Sequence, residues 1–542
     1  METLPEELRH DQFNTLNEVI DTIAKNHSDR PAFSCLGTTL SYGEVLDYSE
    51  RFAAWLVNAS SLEPGDRIAV QLPNLLQFPV VLYGALKAGL IVVNTNPLYT
   101  AHEMRHQFRD SGVKAIVILD SMCSKLQEIL PETDIQTVIV TRLGDLQPFP
   151  KRTLLNFAAR YIKRMVPAWR IPGAISFKRT IAARDELAKR PDWIKREDPA
   201  LILYTGGTTG VSKGAMLSHG NLIANMMQVR CRALLVLDDK TETVGAPLPL
   251  YHTYAFLLHC LVLPLAGNHN VLVPDPRDIG SLLGLWRRYR FTGFVGINTL
   301  YQAMLRHGDF DKLDFSVLRF AGGGGMAMSS SVMKDWEQRT GCAILEGYGL
   351  TECSPVVATN IQGRNKPGTV GPVVPETEVI TVDDNGTTVG TGERGELWVR
   401  GPQVMLGYWQ NPQATKDAIT PEGWFKTGDY AEIDEEGFIR IVDRKKDMIL
   451  VSGFNVFPNE VEDWVNNHPD VAESAAIGVP SESSGEEVKL FVVKSQDSLD
   501  EEAVIAHCRK GLTGYKVPKQ VVFVDELPKS NVGKVLRRQL RD

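Results

Sequence analysis

Short β-branched runs alternate with stretches of helical periodicity along most of this chain, and strands so patterned have to be covered by helices on both sides. Residues 67–72, 115–119, 137–141, 201–205 and 271–274 read as buried strands. Between them lie amphipathic segments such as 42–58, where Ser41 and Glu44 have the S-x-x-E spacing of a capping box. Parallel strands need crossover helices to connect them, so the alternation predicts α/β layers with a parallel sheet. From 368 to 441 the texture changes to short strands separated by turn residues, as at 384–386 and 435–437, which predicts a small antiparallel barrel. The residues after Arg444 read as helix 459–467, strands 475–479 and 489–494, helix 500–512 and strand 520–524. That is a separate α+β unit of roughly a hundred residues, within the usual domain range.

Charge and cysteine usage narrow the classes of function. A net charge of −8 over 542 residues offers no overall field for holding nucleic acid. The seven cysteines lie far apart without a C-x-x-C pair, which fits a reduced cytoplasmic protein and argues against a zinc site. The opening residues METLPEELRHDQF lack the basic and apolar regions of a signal peptide. The most apolar stretches, 80–93 and 254–266, carry Lys87 and His259 and fall short of the ~20 residues that a bilayer span takes. One segment stands apart. Residues 146–184 hold nine basic side chains and no acidic one, which set against −8 for the whole leaves −17 for the remainder. Within it Leu154, Ala158, Tyr161 and Met165 share one helical face, with Leu155, Ile162 and Val166 beside them. A basic amphipathic helix of this kind suits an anionic membrane surface; an ordinary core stripe under a solvated basic face would give the same pattern.

The sharpest chemical signal is Tyr204-Thr-Gly-Gly-Thr-Thr-Gly-Val-Ser-Lys-Gly214. It follows a predicted strand, so Gly206, Gly207 and Gly210 can bend their N–H groups toward one point while Thr205, Thr208, Thr209 and Lys213 add donors. A polyphosphate needs that arrangement. The loop is not a Walker A motif, because Lys213 lies between Ser212 and Gly214 and no Gly-Lys-Ser/Thr occurs. Downstream, a glycine run at 321–325 follows residues 317–320, so that backbone can approach a flat ligand. Glu346-Gly-Tyr-Gly-Leu-Thr-Glu352 places a hydroxyl and a carboxylate together at a turn. Thr427-Gly-Asp429 puts a carboxylate behind a glycine, suited to two vicinal ribose hydroxyls, and 528–534 offers Lys534 on a glycine-bearing loop. Each alone is more often a surface turn than a site.

Taken together and in this order, YTGGTTGVSKG, YGLTE, TGD, DRKKDMILVSGFNVFP and PKSNVGK resemble the adenylate-forming enzymes: acyl-CoA synthetases, luciferases and adenylation domains. The resemblance covers nearly the whole chain. The stretch from 422 to 458, with PLPLYHTYAF and LTGYKVPK, is most similar to the bacterial long-chain fatty-acid CoA ligases. It implies an N-terminal AMP-binding domain over 1–444, built of two α/β subdomains and a barrel-like part at about 368–441. A mobile α+β lid over 445–542 would turn about a hinge at Lys446. The implied reaction is ATP-dependent activation of a long-chain fatty acid to acyl-CoA through an acyl-adenylate, releasing AMP and diphosphate. The alternatives are a medium-chain or aryl acid as substrate, or transfer of the acyl group to a carrier protein.

The resemblance also implies roles for individual residues. Glu352 would hold Mg²⁺ with Thr205 as a second ligand, the loop from Thr205 to Lys213 would cradle the phosphates, and Thr351 would contact phosphate. Gly323, Gly324, Glu346, Gly347 and Tyr348 would face adenine, and Asp429 with Arg444 the ribose. Lys534 would bridge the acid and the α-phosphate. His252 and Phe256 would line the acyl pocket, and Gly453 would leave room for the pantetheine arm of CoA. An amino-acid substrate is disfavoured, since after 249–256 no acid occurs until Asp275 and an ammonium would be buried unpaired. Expected partners are the fatty acid, ATP and CoA, an anionic membrane met peripherally through 146–184 at the inner membrane, and at most a second copy of the chain, with no nucleic acid.

Overall fold

The computed structural model describes residues 2–182, 193–205, 212–233, 235–452, 454–481, 484–530 and 533–541. Two eight-stranded sheets form its frame. In the first, strands run in the order Gly407–Tyr408, Lys213–Ser218, Pro199–Thr205, Ile91–Asn94, Arg67–Gln71, Ala115–Leu119, Thr137–Thr141, Ile175–Ser176, parallel from Pro199–Thr205 onward. In the second, the order is Val356–Thr359, Ile344–Gly349, Phe320–Gly323, Gly293–Gly296, Thr243–Ala246, His269–Leu272, Pro31–Cys35, Thr38–Ser41, parallel except at its two ends. The expected α/β layering with parallel sheet is therefore present twice.

Strand alternation explains the layers. Ile68, Val70, Ala115 and Val117 point into a large central core, while Ala69, Ile116 and Ile118 point the other way into a second one. The central core also takes the inner face of the second sheet (Val244, Val295) and the apolar faces of helices Leu16–His27, Tyr42–Ala59, Gln77–Lys87 and His219–Ala233. Helices Ala101–Ser111 and Cys123–Ile129 cover the outer face of the first sheet. Helices Ile279–Tyr289, Asn298–Arg306 and Ser330–Thr340 cover the second sheet around an aromatic cluster of Trp286, Phe294 and Trp336. Strands apolar on both faces belong in this setting. The capping box read from Ser41 and Glu44 is formed, each side chain bonded to the other's backbone N–H.

The stretch expected to be a barrel is an open four-stranded antiparallel meander, Glu378–Val382, Gly395–Arg400, Phe425–Ile433 and Ile439–Arg444, in sequential order. Closure is prevented at its last strand. There Ile439 exchanges backbone hydrogen bonds with Val370 and Gly371, at 2.8 and 3.1 Å, so this edge is occupied by the preceding segment. After a short turn, Lys445–Asp447, comes a five-stranded sheet with helices Pro458–Val465 and Glu501–Gly511 and a core of its own. The two helices and three of the strands are those read from sequence, with shifted ends; strands Ile449–Val451 and Phe454–Val456 are not read there. Among the described residues no helix is long and apolar enough to cross a membrane, and the seven cysteines are unpaired.

Candidate active site

Parallel strands of both sheets deliver chemistry at their carboxyl ends, where loops leave the sheet and ligands of α/β proteins commonly bind. Pro199–Thr205 ends at Thr205, Phe320–Gly323 at the glycine run, and Ile344–Gly349 just before Thr351 and Glu352. Thr243–Ala246 leads into His252. Gly322 and Gly323, placed by the sequence after residues 317–320, lie inside the strand Phe320–Gly323. The reason is lateral pairing: Gly322 sits between Val295 and Leu345, Gly323 between Gly296 and Glu346. A Cβ on Gly324 would lie 3.2 Å from the Gly347 carbonyl and 3.6 Å from the Tyr254 ring, so this floor is flat because it lacks side chains. Tyr348 likewise belongs to the strand and not to a turn.

Asp429 is carried by the meander. Between the pairs Glu396–Tyr430 and Trp398–Lys426, the three residues Thr427, Gly428 and Asp429 stand opposite the single Leu397. Gly428 takes φ +71, a conformation that lets the extra residues fold out as a bulge. Asp429, almost fully buried, accepts from the Tyr348 hydroxyl at 2.5 Å and pairs with Arg444 Nε at 2.8 Å. Arg444 is its cross-strand neighbour and also donates to the Thr427 carbonyl. Burial works against the Arg444 cation, but Asp429, Tyr348 and Glu352 outweigh it and leave its pKa raised. Burial and then Asp429 push the Tyr348 phenol well above its ordinary range.

Glu352 lies in the short turn Thr351–Cys353 and is buried. Its Oε1 accepts from Tyr408 Oη at 2.9 Å, and Lys213 Nζ stands 5.2 Å from the centre of the Tyr408 ring. Tyr408 reaches both because Gly407–Tyr408 pairs with Met216 and Ala215 on the far edge of the first sheet. Thr205 and Lys213, the described flanks of the glycine–threonine loop, are backbone partners; Gly206, Gly207, Thr208, Thr209 and Gly210 lie outside the described residues. Thr351 accepts from Thr253 at 3.1 Å, at the start of helix Thr253–Leu257. Next to it His252 is held neutral, its pKa lowered to about 4 by burial. Phe256 has no exposed surface and packs in the central core. The Glu346 carboxyl is raised to about 7 by burial, against a hydrogen bond from Met328 N–H.

The last sheet closes over these groups. The loop bearing Lys534 packs on the second sheet's flank, where a Cβ on Gly533 would meet Ile297 at 2.6 Å and Thr299 at 3.0 Å. Burial, then the neighbouring Arg444, hold the Lys534 pKa below that of an ordinary lysine, with Asp429 opposing. Lys446 is lowered to about 8, by burial first; Asp447 opposes and Arg444 and Lys534 add to the lowering. Both lysines therefore lie within electrostatic reach of Asp429 and Arg444. Gly453 lies outside the described residues.

Local sequence gave no sign of Tyr408 or Thr253. Arg537 was equally silent, although it stands three residues after Lys534 in the basic tail. It binds Glu462 at 2.8 Å and Asn459 at 2.7 Å and approaches Asp443 and Asp447 at 3.7 and 3.5 Å. Asp443 immediately precedes Arg444 in the DRKKD stretch, which is the one signal that pointed near this cluster.

Comparison with known proteins agrees with this arrangement. Residues 20–409 match the AMP-binding enzyme family and residues 460–534 the AMP-binding enzyme C-terminal domain. The chain is 49% identical over 540 residues to a long-chain-fatty-acid–CoA ligase of Salmonella typhimurium, covering 99% of this chain and 96% of that protein. It is 50% identical over the same length to the one of Escherichia coli O157:H7, with the same coverage. Its structure resembles that of ATP-bound MatB from Rhodopseudomonas palustris, with a TM-score of 0.84 and 30% identity over 98% of each chain.

Proposed function

The chain belongs to the AMP-binding enzyme family, and from that footing we propose that it is an ATP-dependent long-chain-fatty-acid–CoA ligase. The carboxylate oxygen of a fatty acid attacks the α-phosphorus of ATP and the bond to diphosphate breaks. The CoA thiol then attacks the acyl carbonyl, loses its proton to solvent, and AMP leaves. The first step brings two anions together, so the site has to supply positive charge where negative charge accumulates.

The observation that carries this reading is the loop bearing Lys534, which packs on Ile297 and Thr299 through Gly533 and buries the lysine within electrostatic reach of Arg444 and Asp429. In our reading Lys534 bridges the carboxylate and the α-phosphate, while Lys213 and the loop beside it hold the outer phosphates. Asp429, with two oxygens already oriented by Tyr348 and Arg444, receives the ribose hydroxyls, and the backbone from Gly323 to Gly347 lies against adenine. Glu352, whose Oε1 accepts from Tyr408, and the Thr205 hydroxyl would together offer oxygen donors of the kind that suits Mg²⁺. That ion would offset phosphate charge. His252, neutral through burial, suits an uncharged acyl pocket better than a cation would.

We place the boundary of the mobile lid at 444/445, with the hinge at Lys446. For the second step the lid turns and withdraws Lys534, opening the approach for the thiol. We also read the basic stretch 146–184 as a peripheral contact with an anionic membrane. The test of the two-step reading is Lys534→Ala. Diphosphate release with palmitate should fall by several hundredfold or more, while thioester formation from supplied palmitoyl-adenylate stays within a few fold of wild type. Equal loss of both steps would overturn the role given to Lys534.

A further inference from the structure

Helix Lys151–Phe157 and the π-helical turn Ala158–Ile162 that extends it bury none of their residues. The apolar stripe is therefore not a core stripe. Leu154, Phe157, Tyr161, Ile162 and Met165 are each more than half exposed, with Phe149 more open still. Single exposed apolar side chains are ordinary; a cluster of six within seventeen residues is not.

Under this helix lies a cavity of about 370 Å³, more than enough for several waters. Arg142, Arg152, Arg160 and Lys178 bring four cations to it, and none of them is in an ion pair among the described residues. Two carboxylates, Asp120 and Asp145, also line it. Asp145 is already engaged, accepting from Thr141 Oγ1 at 3.2 Å, the Arg142 N–H at 2.9 Å and Asn156 at 3.4 Å. Asp120 faces Arg142 and Arg160, each of which favours its charged form, so four cations against two carboxylates leave the cavity with a net excess of two positive charges. Phe157 and Tyr161 form its rim, their rings 5.0 Å apart, and Arg160 stands against the Tyr161 face.

We propose that this cavity takes the phosphodiester headgroup of an anionic phospholipid, while Leu154, Phe157, Tyr161, Ile162 and Met165 enter the acyl boundary of the same leaflet. The inference deepens the reading of 146–184 as a membrane contact and rests on it. Charge decides both the occupant and the orientation. The remainder of the chain, at −17, is on balance repelled by an anionic surface, so approach through this face is favoured. Each Lys or Arg held near such a surface contributes attraction, and aromatic and aliphatic side chains at the headgroup level add apolar burial. A long-chain acid partitions into the same leaflet, so docking here would hold the enzyme where its substrate is concentrated.

The test is co-sedimentation of the full chain, without ATP or CoA, with vesicles of phosphatidylcholine alone or mixed with phosphatidylglycerol. Wild type should partition to the mixed vesicles and lose them in high salt. Arg152→Gln with Arg160→Gln should weaken that partition by on the order of twentyfold. Lys163→Gln with Arg164→Gln, which removes equal charge outside the cavity, should weaken it by a few fold only. Tyr161→Asp should lower partition to the mixed vesicles. Equal losses from the two double variants, or equal partition to both kinds of vesicle, would each overturn the proposal. All variants should retain wild-type ligation of octanoate in vesicle-free buffer. That assay separates a failure of the ligase reading from a failure of the lipid site, because sedimentation needs no turnover.

Discussion

The Tyr408 hydroxyl donates to Glu352 while its ring faces the Lys213 ammonium, so one side chain sets the position of the carboxylate we propose for Mg²⁺ and of the cation we propose for the phosphates. A hydrogen bond to a charged acceptor is worth about 1.5–3 kcal/mol. Tyr408→Phe keeps the ring under Lys213 and removes that bond. Palmitate-dependent ATP–diphosphate exchange should fall roughly tenfold, and the Mg²⁺ concentration for half-maximal rate should rise, because the loosened carboxylate is a poorer ligand. An exchange rate that falls with unchanged Mg²⁺ dependence would separate Tyr408 from the metal. Glu352 itself was legible in sequence through its YGLTE setting, whereas Tyr408 was not. Its value comes from a partner 56 positions away, and no local pattern encodes that.

At the scale of single elements, the hairpin formed by Ile344–Gly349 and Val356–Thr359 carries the most chemistry for its size, since Thr351 and Glu352 lie in its connection. Gly349 permits the hairpin. A Cβ there would stand 2.2 Å from the Pro355 carbonyl oxygen, a backbone atom that cannot rotate away. Gly349→Ala should therefore part the two strands. An overpacked site of this kind costs about 1–3 kcal/mol, and thermal unfolding should move down by several degrees. Adenylation should drop further than stability alone requires, by tenfold or more, because Glu352 moves with the strand. A variant that kept both melting temperature and exchange rate would show that the hairpin adapts. Strand and helix periods are properties of neighbouring residues, so elements such as 115–119 and 42–58 were legible from sequence, whereas this hairpin reads there only as a turn. Lateral matters were not legible either. The glycine run joined a strand, and the expected barrel stayed open, because pairing with distant backbone decided each.

For the whole molecule, the question is what holds the last sheet over the site. Arg537 joins Glu462 and Asn459 within that sheet's layer to Asp443 at the end of the meander and Asp447 in the turn Lys445–Asp447. Asn459 N–H also donates to Asp443 at 2.7 Å. Burial raises the Asp443 carboxyl to about 6, and Arg537 is the chief group opposing that rise. Removing one partner from a buried charge cluster is costly because the others stay buried. Arg537→Ala should thus favour lid positions in which Lys534 is withdrawn. Diphosphate exchange should fall at least tenfold, with thioester formation from supplied palmitoyl-adenylate unchanged or faster. A parallel decline of both steps would mean that Arg537 acts on folding and not on lid position.

Sequence by itself determined the α/β class, the order of the elements, and the separate character of the final hundred residues. It also marked the motifs YTGGTTGVSKG, YGLTE, TGD and PKSNVGK, and with them the family, because those signals reside in adjacent residues and in loop chemistry that any surrounding fold has to accommodate. Only the tertiary structure decided which of these groups meet. Tyr348 finds Asp429 across 81 positions through a bulge in one sheet and a strand end in another, and Arg537 finds Asp443 through the docking of a whole layer. It also decided that the stripe at 154–165 faces outward, since amphipathic periodicity says which side chains share a face but not whether another element covers it. Contacts of that kind depend on packing between distant segments, and a one-dimensional pattern carries no record of what lies opposite.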